Sequence, residues 1–236
     1  MFADPAIWGF FFEGVRETIY ISLVAVALSF VVGLAFALGR LSRKRWIRWP
    51  SIFYIEGVRA LPVLLLIVYF DLQGSALFRP IFGPDFELPR FWAGVLGLSM
   101  YTSAVLAEII RAGIVSLPRG QTEASRALGL SHTQTMRFVL LPQALRLMVP
   151  AMMAQLTTVI KDTSLVGTIG IFELFKQGRT IYTQFFNPVE VLLIVATIYF
   201  VICFALSQAS RRLELGHVPR AARVKIQDIA LRDQAA

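Results

Sequence analysis

Residues 120–142 read GQTEASRALGLSHTQTMRFVLLP. The stretch is polar and basic, in a chain that is otherwise mostly apolar. Its spacing predicts a short amphipathic helix. Thr122 is placed as an N-cap, and Glu123 falls in the first turn, where a carboxylate suits the positive helix end. Ala124, Ala127 and Leu128 recur at helical spacing, and Gly129 ends the helix. A second helical run is expected from about Ser131 to Leu141, with Pro142 opening a new element. Two short helices meeting at Gly129, set between membrane spans, make a knob suited to docking into something outside the membrane.

Working outward, the 236 residues are 56% hydrophobic with a mean hydropathy of +0.66, too apolar for a typical soluble domain and suited to a polytopic membrane protein. The single cysteine, Cys203, lies in an apolar run, so neither a disulfide framework nor a metal site is a design feature. The net charge of +8 is distributed like the basic loops of a membrane protein, not like a nucleic-acid patch.

Five spans are expected, at about 18–38, 52–70, 91–110, 143–160 and 188–208. Thr18 to Leu38 carries no charge over 21 residues, enough to cross about 30 Å of hydrocarbon. Residues 1–17 read as an interfacial aromatic segment leading into it, and 71–90 as a loop. Residues 165–175 are apolar but too short to span, and read as a short helix or re-entrant segment. Glu56 and Arg59 share a helix face within the second span, either facing protein or snorkelling to the surface. The segments read as inner hold sixteen basic residues and those read as outer hold six, with Arg59 inside a span. This asymmetry places the N-terminus outside and the C-terminus in the cytoplasm. The expected division is therefore a membrane domain over 1–210, holding a cytoplasmic docking loop at 118–142, and a basic cytoplasmic tail over 211–236.

The docking stretch resembles the signature of the inner-membrane permease subunits of bacterial ATP-driven importers: Glu-Ala-Ala, three residues, Gly, nine residues, Ile, one residue, Leu-Pro. Glu123, Ala124, Gly129, Leu141 and Pro142 match it in type and spacing, with Ser125 and Val139 as small departures. Arg59-Ala60-Leu61-Pro62-Val63-Leu64 is similar to the Arg-Gly-Thr-Pro-Leu-Leu segment of the amino-acid branch, departing at Ala60 and Leu61. Tyr101, Glu108, Arg111 and Gly113 resemble the run preceding the docking motif there, and Lys161-Asp162-Thr163-Ser164 a motif at the outer end of the fourth span.

The resemblance implies an all-α membrane protein whose docking residues are Gly120, Gln121, Glu123, Ala124, Ser125, Gly129, Leu141 and Pro142, the loop acting as a coupling helix. It implies an ATP-binding subunit dimer, a second permease subunit, identical or homologous, and an extracytoplasmic amino-acid-binding protein as partners, within the lipid of the bacterial inner membrane. Candidate substrate-pathway residues are Ser103, Glu108, Lys161, Asp162, Thr163 and Ser164. Glu108 is open to two readings, a pathway carboxylate or an ion-pair partner of Arg111. Lys161 to Ser164 either meet the two ends of a zwitterion or form a Lys–Asp pair with a hydroxyl cap. No Gly-Lys pair exists to start a phosphate loop, and His132 and His217 have no nucleophile or metal-ligand partner nearby. The chain therefore reads as a non-enzymatic transport subunit with no cofactor of its own, ATP and Mg being held by the partner ATPase. The expected cargo is a polar or acidic amino acid. An ion-gradient-driven carrier or channel subunit is the alternative.

Overall fold

The computed structural model describes residues 5–217, all helix and connecting turns with no strand among them. Helix α1 covers Pro5–Arg40, α2 Arg45–Arg59, α3 Val63–Phe82, α4 Arg90–Val115 and α5 Arg119–Ala127. Then α6 (His132–Gln134), a π-helical segment (Thr135–Leu140), α7 (Leu141–Asp162) and a 3-10 segment (Thr163–Ile169) run on as one column, followed by α8 (Leu174–Phe185) and α9 (Pro188–His217). Among the described residues, five helical stretches are long and apolar enough to cross a membrane: Ile7–Arg40, Val63–Phe82, Arg90–Val115, His132–Ile169 and Pro188–Arg212.

Helix α4 is the central post. In its most apolar stretch 67% of residues are buried, against 11% for α9, which keeps most of its surface for lipid or another chain. The partner of α4 is α1, and small residues make the contact. Along α1 the buried positions Thr18, Ser22, Ala25, Ser29, Gly33 and Ala37 recur every three to four residues, one face of a 3.6-residue helix. Small residues let two helix backbones approach closely where the hydrophobic effect no longer distinguishes helix from lipid. A Cβ on Gly33 would stand 2.8 Å from the Ser103 carbonyl oxygen. Ser29 Oγ donates to Ala25 O at 2.6 Å and reaches Ser99 O at 3.2 Å, while Ser99 Oγ donates to Ala25 O at 3.2 Å, so hydroxyls bridge the two helices. On another face of α4, a Cβ on Gly97 would stand 2.6 Å from Ile67 Cα, which brings α3 equally close.

Several boundaries differ from the sequence expectation. The 52–70 span is divided: α2 ends at Arg59, Ala60–Pro62 break the column, and the spanning helix is Val63–Phe82. Pro62 is the cause, since its ring disfavours helical backbone in the residue before it and it donates no hydrogen bond. Most of the expected 71–90 loop is consequently helix, and only 83–89 links α3 to α4. The aromatic N-terminal segment is not separate either. Pro5–Arg40 is one helix of 36 residues, roughly 54 Å long, and its Ile7 and Phe11 pack with α8 and α9. The 91–110 and 188–208 spans extend to Arg90–Val115 and Pro188–His217, and the 143–160 span is embedded in the longer His132–Ile169 column. Residues 165–175 hold the end of the 3-10 segment and the start of α8. Of the basic tail expected over 211–236, residues 211–217 continue α9, and 218–236 lie outside the described residues.

A polar knot fastens α8 to the bundle. Glu173 is fully buried as the N-cap of α8 and accepts from the N–H groups of Phe175 (2.8 Å) and Lys176 (2.7 Å) and from the Tyr199 hydroxyl (3.0 Å). Leu174 N–H donates to Thr18 Oγ1 on α1 at 3.1 Å. Gly167 makes the room, since a Cβ there would lie 2.7 Å from Glu173 Oε1. Burial pushes the Glu173 carboxyl up from its ordinary value, against the opposing pull of the Phe175 and Lys176 N–H groups, the Tyr199 hydroxyl and the Lys176 charge.

Two predictions follow from this packing. Gly33→Val should cost about 1–3 kcal/mol, because the added atoms meet backbone that cannot swing away; Gly57→Ala, with open space around it, should change stability by less than about 1 kcal/mol. Thermal unfolding in detergent checks both. Glu173→Gln turns an amide NH₂ toward N–H or O–H donors and should cost about 1–3 kcal/mol near neutral pH. A carboxyl raised above its unfolded-chain value contributes fully below that value, and its contribution is lost as pH rises through the folded one. Stability of the wild type should therefore decline as pH rises above the ordinary carboxyl value, by an increment that Glu173→Gln lacks.

Candidate docking and transport sites

The docking stretch begins one turn earlier than its sequence suggests. Helix α5 starts at Arg119 after Pro118, whose fixed φ and missing N–H suit a helix entry. Thr122 is thus inside the helix and caps nothing, and Glu123 sits in the second turn. The helix ends in a two-bond cap. Gly129 N–H donates to Arg126 O at 2.9 Å and Leu130 N–H to Ser125 O at 3.1 Å, with Gly129 left-handed at φ +80°. This is the Schellman pattern, which needs a residue without a Cβ penalty at its left-handed position. No atom outside its own neighbours comes within 4 Å of where a Gly129 Cβ would be. Gly129 is therefore required for its backbone angle and not for a close approach of two helices.

Immediately after the glycine, Ser131 and Gln134 form a capping box, each side chain bonding the other's backbone N–H at 3.3 and 2.8 Å. The helix that starts there does not stop at Pro142. It widens into the π segment, where Leu141 N–H reaches Met136 O, five residues back. A proline has no N–H, and its ring crowds the carbonyl four residues before it, so a widened turn just ahead of Pro142 lets the column continue. The expected pair of short helices is thus one short helix, α5, and the foot of a long one. Gln143 Nε2 ties the two, donating to Val139 O (2.8 Å) and Gln121 Oε1 (3.3 Å). Ser125 is buried and donates to Gln121 O at 2.6 Å. Gly120, Gln121, Glu123, Ala124 and Ala127 are exposed, and Leu128 is 82% exposed at the tip. The result is a capped turn whose exposed face mixes Ala124, Ala127 and Leu128 with Glu123, Arg119 and Arg126.

The candidate substrate-pathway residues do not form one site. Ser103 is fully buried, 2.7 Å from the Tyr54 hydroxyl, and donates to Met100 O. Glu108 is held on two sides, by Arg40 at 2.7 Å and by both oxygens to Arg111 at 3.0–3.2 Å. Arg40 also meets Glu56 at 2.8 Å, and Glu56 faces Arg59 at 4.0 Å. One chain of five alternating charges therefore joins the C-terminal ends of α1, α2 and α4. Of the two readings of Glu108, the ion pair with Arg111 is the observed one. Arg40 could not be found from spacing, because it lies 68 positions before Glu108 and meets it only through the packing of α1 on α4.

At the far end of α7, Lys161 is exposed and Thr163 buried, and no ion pair joins Lys161 to Asp162 among the described residues. The hydroxyls of Thr163 and Ser164 turn back onto Ile160 O and Lys161 O. Lys161 and Ser164 share an open cavity of about 340 Å³ with Phe175, Leu192 and Tyr199, and Lys161 also borders a second, of about 610 Å³, with Thr157, Thr158 and Ser210. Lys161 is thus the cation common to two openings between α7 and α9. Sequence reasoning missed Glu173, set within sight of this cavity through Tyr199; the available signal was a lone carboxylate directly before a helix start.

Known proteins resemble this chain over most of its length. The family described as the binding-protein-dependent transport system inner membrane component matches residues 29–215. The glutamate transport system permease protein GluD of Corynebacterium glutamicum is 39% identical over 210 residues, 89% of this chain and 72% of GluD. A probable glutamine ABC transporter permease protein, GlnP of Bacillus subtilis, is 36% identical over 87% of this chain and 93% of its own. The glutamate/aspartate import permease protein GltK of Escherichia coli is 33% identical over 83% and 88%. Among solved structures, an amino acid ABC transporter crystallised with histidines superposes with a TM-score of 0.77 at 32% identity, over 87% of this chain and 93% of that one. The methionine ABC transporter MetNI in an inward-facing conformation gives 0.67 at 25% identity, over 89% and 98%. The chain, a multi-pass inner-membrane protein, belongs to the binding-protein-dependent permeases of ABC importers, in their amino-acid branch.

Proposed function

We propose that the chain is the membrane-spanning subunit through which an ATP-driven importer passes a polar amino acid, with glutamate- or aspartate-like cargo favoured. The energy comes from a separate ATPase subunit docked on 118–142, which holds ATP and Mg. Two permease subunits, identical or homologous, pair about a two-fold or pseudo-two-fold axis, and an extracytoplasmic binding protein delivers the cargo. The N-terminus lies outside, the C-terminus in the cytoplasm, and α5 on the cytoplasmic side, as the excess of basic residues there supports. The chain itself carries no ATPase site.

The observation that carries this reading is the α5 turn. Its exposed Leu128, Ala124 and Glu123 stand on a helix stopped by Gly129 and braced to α7 by Gln143. A surface of that kind transmits displacement: a push on α5 is delivered to the foot of the column that ends beside Lys161. The acidic preference rests on Lys161, a cation at the wall of both openings, and on relatives named for glutamate and aspartate.

Gly129→Val places a β-branched residue at φ +80° and should reshape the tip. A mild-detergent pull-down should then lose the copurifying ATPase at least tenfold, whereas Gly57→Ala, a helical site with open space outside the docking stretch, should retain it. Glu123→Lys, a charge reversal on the exposed face, should weaken copurification as well. Undiminished copurification with Gly129→Val, or ATP-independent uptake by the chain alone in vesicles, would favour the gradient-driven carrier instead. Lys161→Met should lower glutamate uptake roughly tenfold or more while leaving ATPase copurification intact, since a hydrogen bond to a charged group contributes about 1.5–3 kcal/mol. Equal uptake by wild type and Lys161→Met would remove Lys161 from the pathway.

A further inference from the structure

We propose that the cleft between the α1–α2 link and the foot of the His132 column binds the headgroup of an anionic phospholipid, whose acyl chains lie along the aromatic face of α2. The cleft has a volume of about 570 Å³. Its polar wall is Ser42, Arg43, Lys44, His132, Thr133 and Arg137, its floor is apolar, and no acidic residue lines it. Arg43, Lys44 and Arg137 make no ion pair among the described residues, although Arg40, Arg59 and Arg111 nearby are all paired. Lys44 and Arg137 each lie over a neighbouring ring, Trp46 and Phe138, which leaves their charge uncompensated. Three cations without an anion therefore surround one opening of headgroup size.

Helix α2 adds the second, independent observation. Its sequence RWIRWPSIFYIEGVR divides around the helix into three faces. Ile47, Ser51, Ile55 and Val58 turn inward against α1 and α4. Arg45, Arg48, Glu56 and Arg59 form a charged face. Between the two, Trp46, Trp49 and Phe53 stand 73%, 66% and 82% exposed at spacings of three and four residues. Tryptophan beside basic residues is the composition of a membrane-interface anchor, with the rings at headgroup level.

An anionic phospholipid satisfies both features at once, phosphate among the cations and chains on the rings. A free phosphate would leave the aromatic face uncovered. A second copy of this surface, paired about a two-fold axis, would bring like charges together. The headgroup would also touch two segments that no hydrogen bond or ion pair otherwise joins, the 41–44 link and the His132–Arg137 foot of the docking stretch, so lipid occupancy braces the turn on which α5 stands. This inference depends on the membrane location of the chain and not on the ATPase partner.

The test is fluorescence quenching of the full chain in phosphatidylcholine nanodiscs containing a minor fraction of lipid with brominated acyl chains. Trp8→Phe/Trp92→Phe leaves Trp46 and Trp49 as the emitters. If that variant does not fold, wild type compared with Trp46→Phe/Trp49→Phe gives the same reading by difference. Brominated phosphatidylglycerol should quench about fivefold more effectively than brominated phosphatidylcholine at equal fraction, the ratio for roughly one basic side chain's attraction to an anionic surface. Arg43→Gln/Lys44→Gln/Arg137→Gln should bring the ratio to about one without changing thermal stability in detergent. Equal quenching by the two lipids in wild type would reduce the surface to ordinary lipid contact and overturn the headgroup site. Absence of quenching by either would mean that protein covers the aromatic face, and would overturn the proposal as well.

Discussion

The architecture depends on the close approach of α1 to α4. In a lipid environment apolar side chains gain little by leaving lipid for protein, so association rests on close van der Waals contact and hydrogen bonds. Here Gly33 lets the Ser103 carbonyl come within van der Waals distance of the opposing helix, and across the seam the Ser29 hydroxyl reaches Ser99 O while the Ser99 hydroxyl donates to Ala25 O. With α1 and α4 locked, the other helices are placed by what they find on this pair. Helix α3 reaches the opposite flank through Gly97, and α7 reaches Gly113 of α4 through Met148.

The two ends of this post carry different chemistry. At one end, alternating charges from Arg59 to Arg111 join α1, α2 and α4 just before α5 begins. With Glu108 and Arg40 side chains only about one-fifth exposed, these pairs are screened less than surface pairs, and they orient the end of α4 that leads into α5. At the other end, Glu173 gathers Thr18, Gly167 and Tyr199 into a knot that places α8 and α9 beside Lys161. A long column runs between the ends, from His132 to Ile169. Its π turn ahead of Pro142 preserves helical continuity where proline would otherwise break it, so the column runs unbroken toward the cavities near Lys161. Thr135 Oγ1, buried at the start of that π turn, has no hydrogen-bond partner among the described residues, and the wide register there is the least tightly satisfied part of the column.

Much of this was legible in the chain itself. Five apolar stretches, the basic interruption around 120–142 and the stop at Gly129 all follow from composition, period and backbone preference, which are local properties. The reason for Gly129 was legible only in part. A helix-ending glycine is a local inference and holds, but the absence of any neighbour around it needed coordinates. The 52–70 span was misplaced because hydropathy counts residues and does not see that Pro62 separates two helices with different surroundings.

The sequence by itself determined the number of apolar spans, the family signature and the presence of a polar helical turn ended by Gly129, because each is written in residues a few positions apart. Only the tertiary structure decided which charges meet. Arg40, Glu56 and Glu108 come from three helices, and Thr18, Glu173 and Tyr199 span 182 positions of chain. Spacing within one helix tells which residues share a face, but not which face another helix will cover. That choice is made by the fit of Gly33 and Gly97 against neighbouring backbones, and it places the candidate pathway residues Ser103, Glu108 and Lys161 in three separate surroundings.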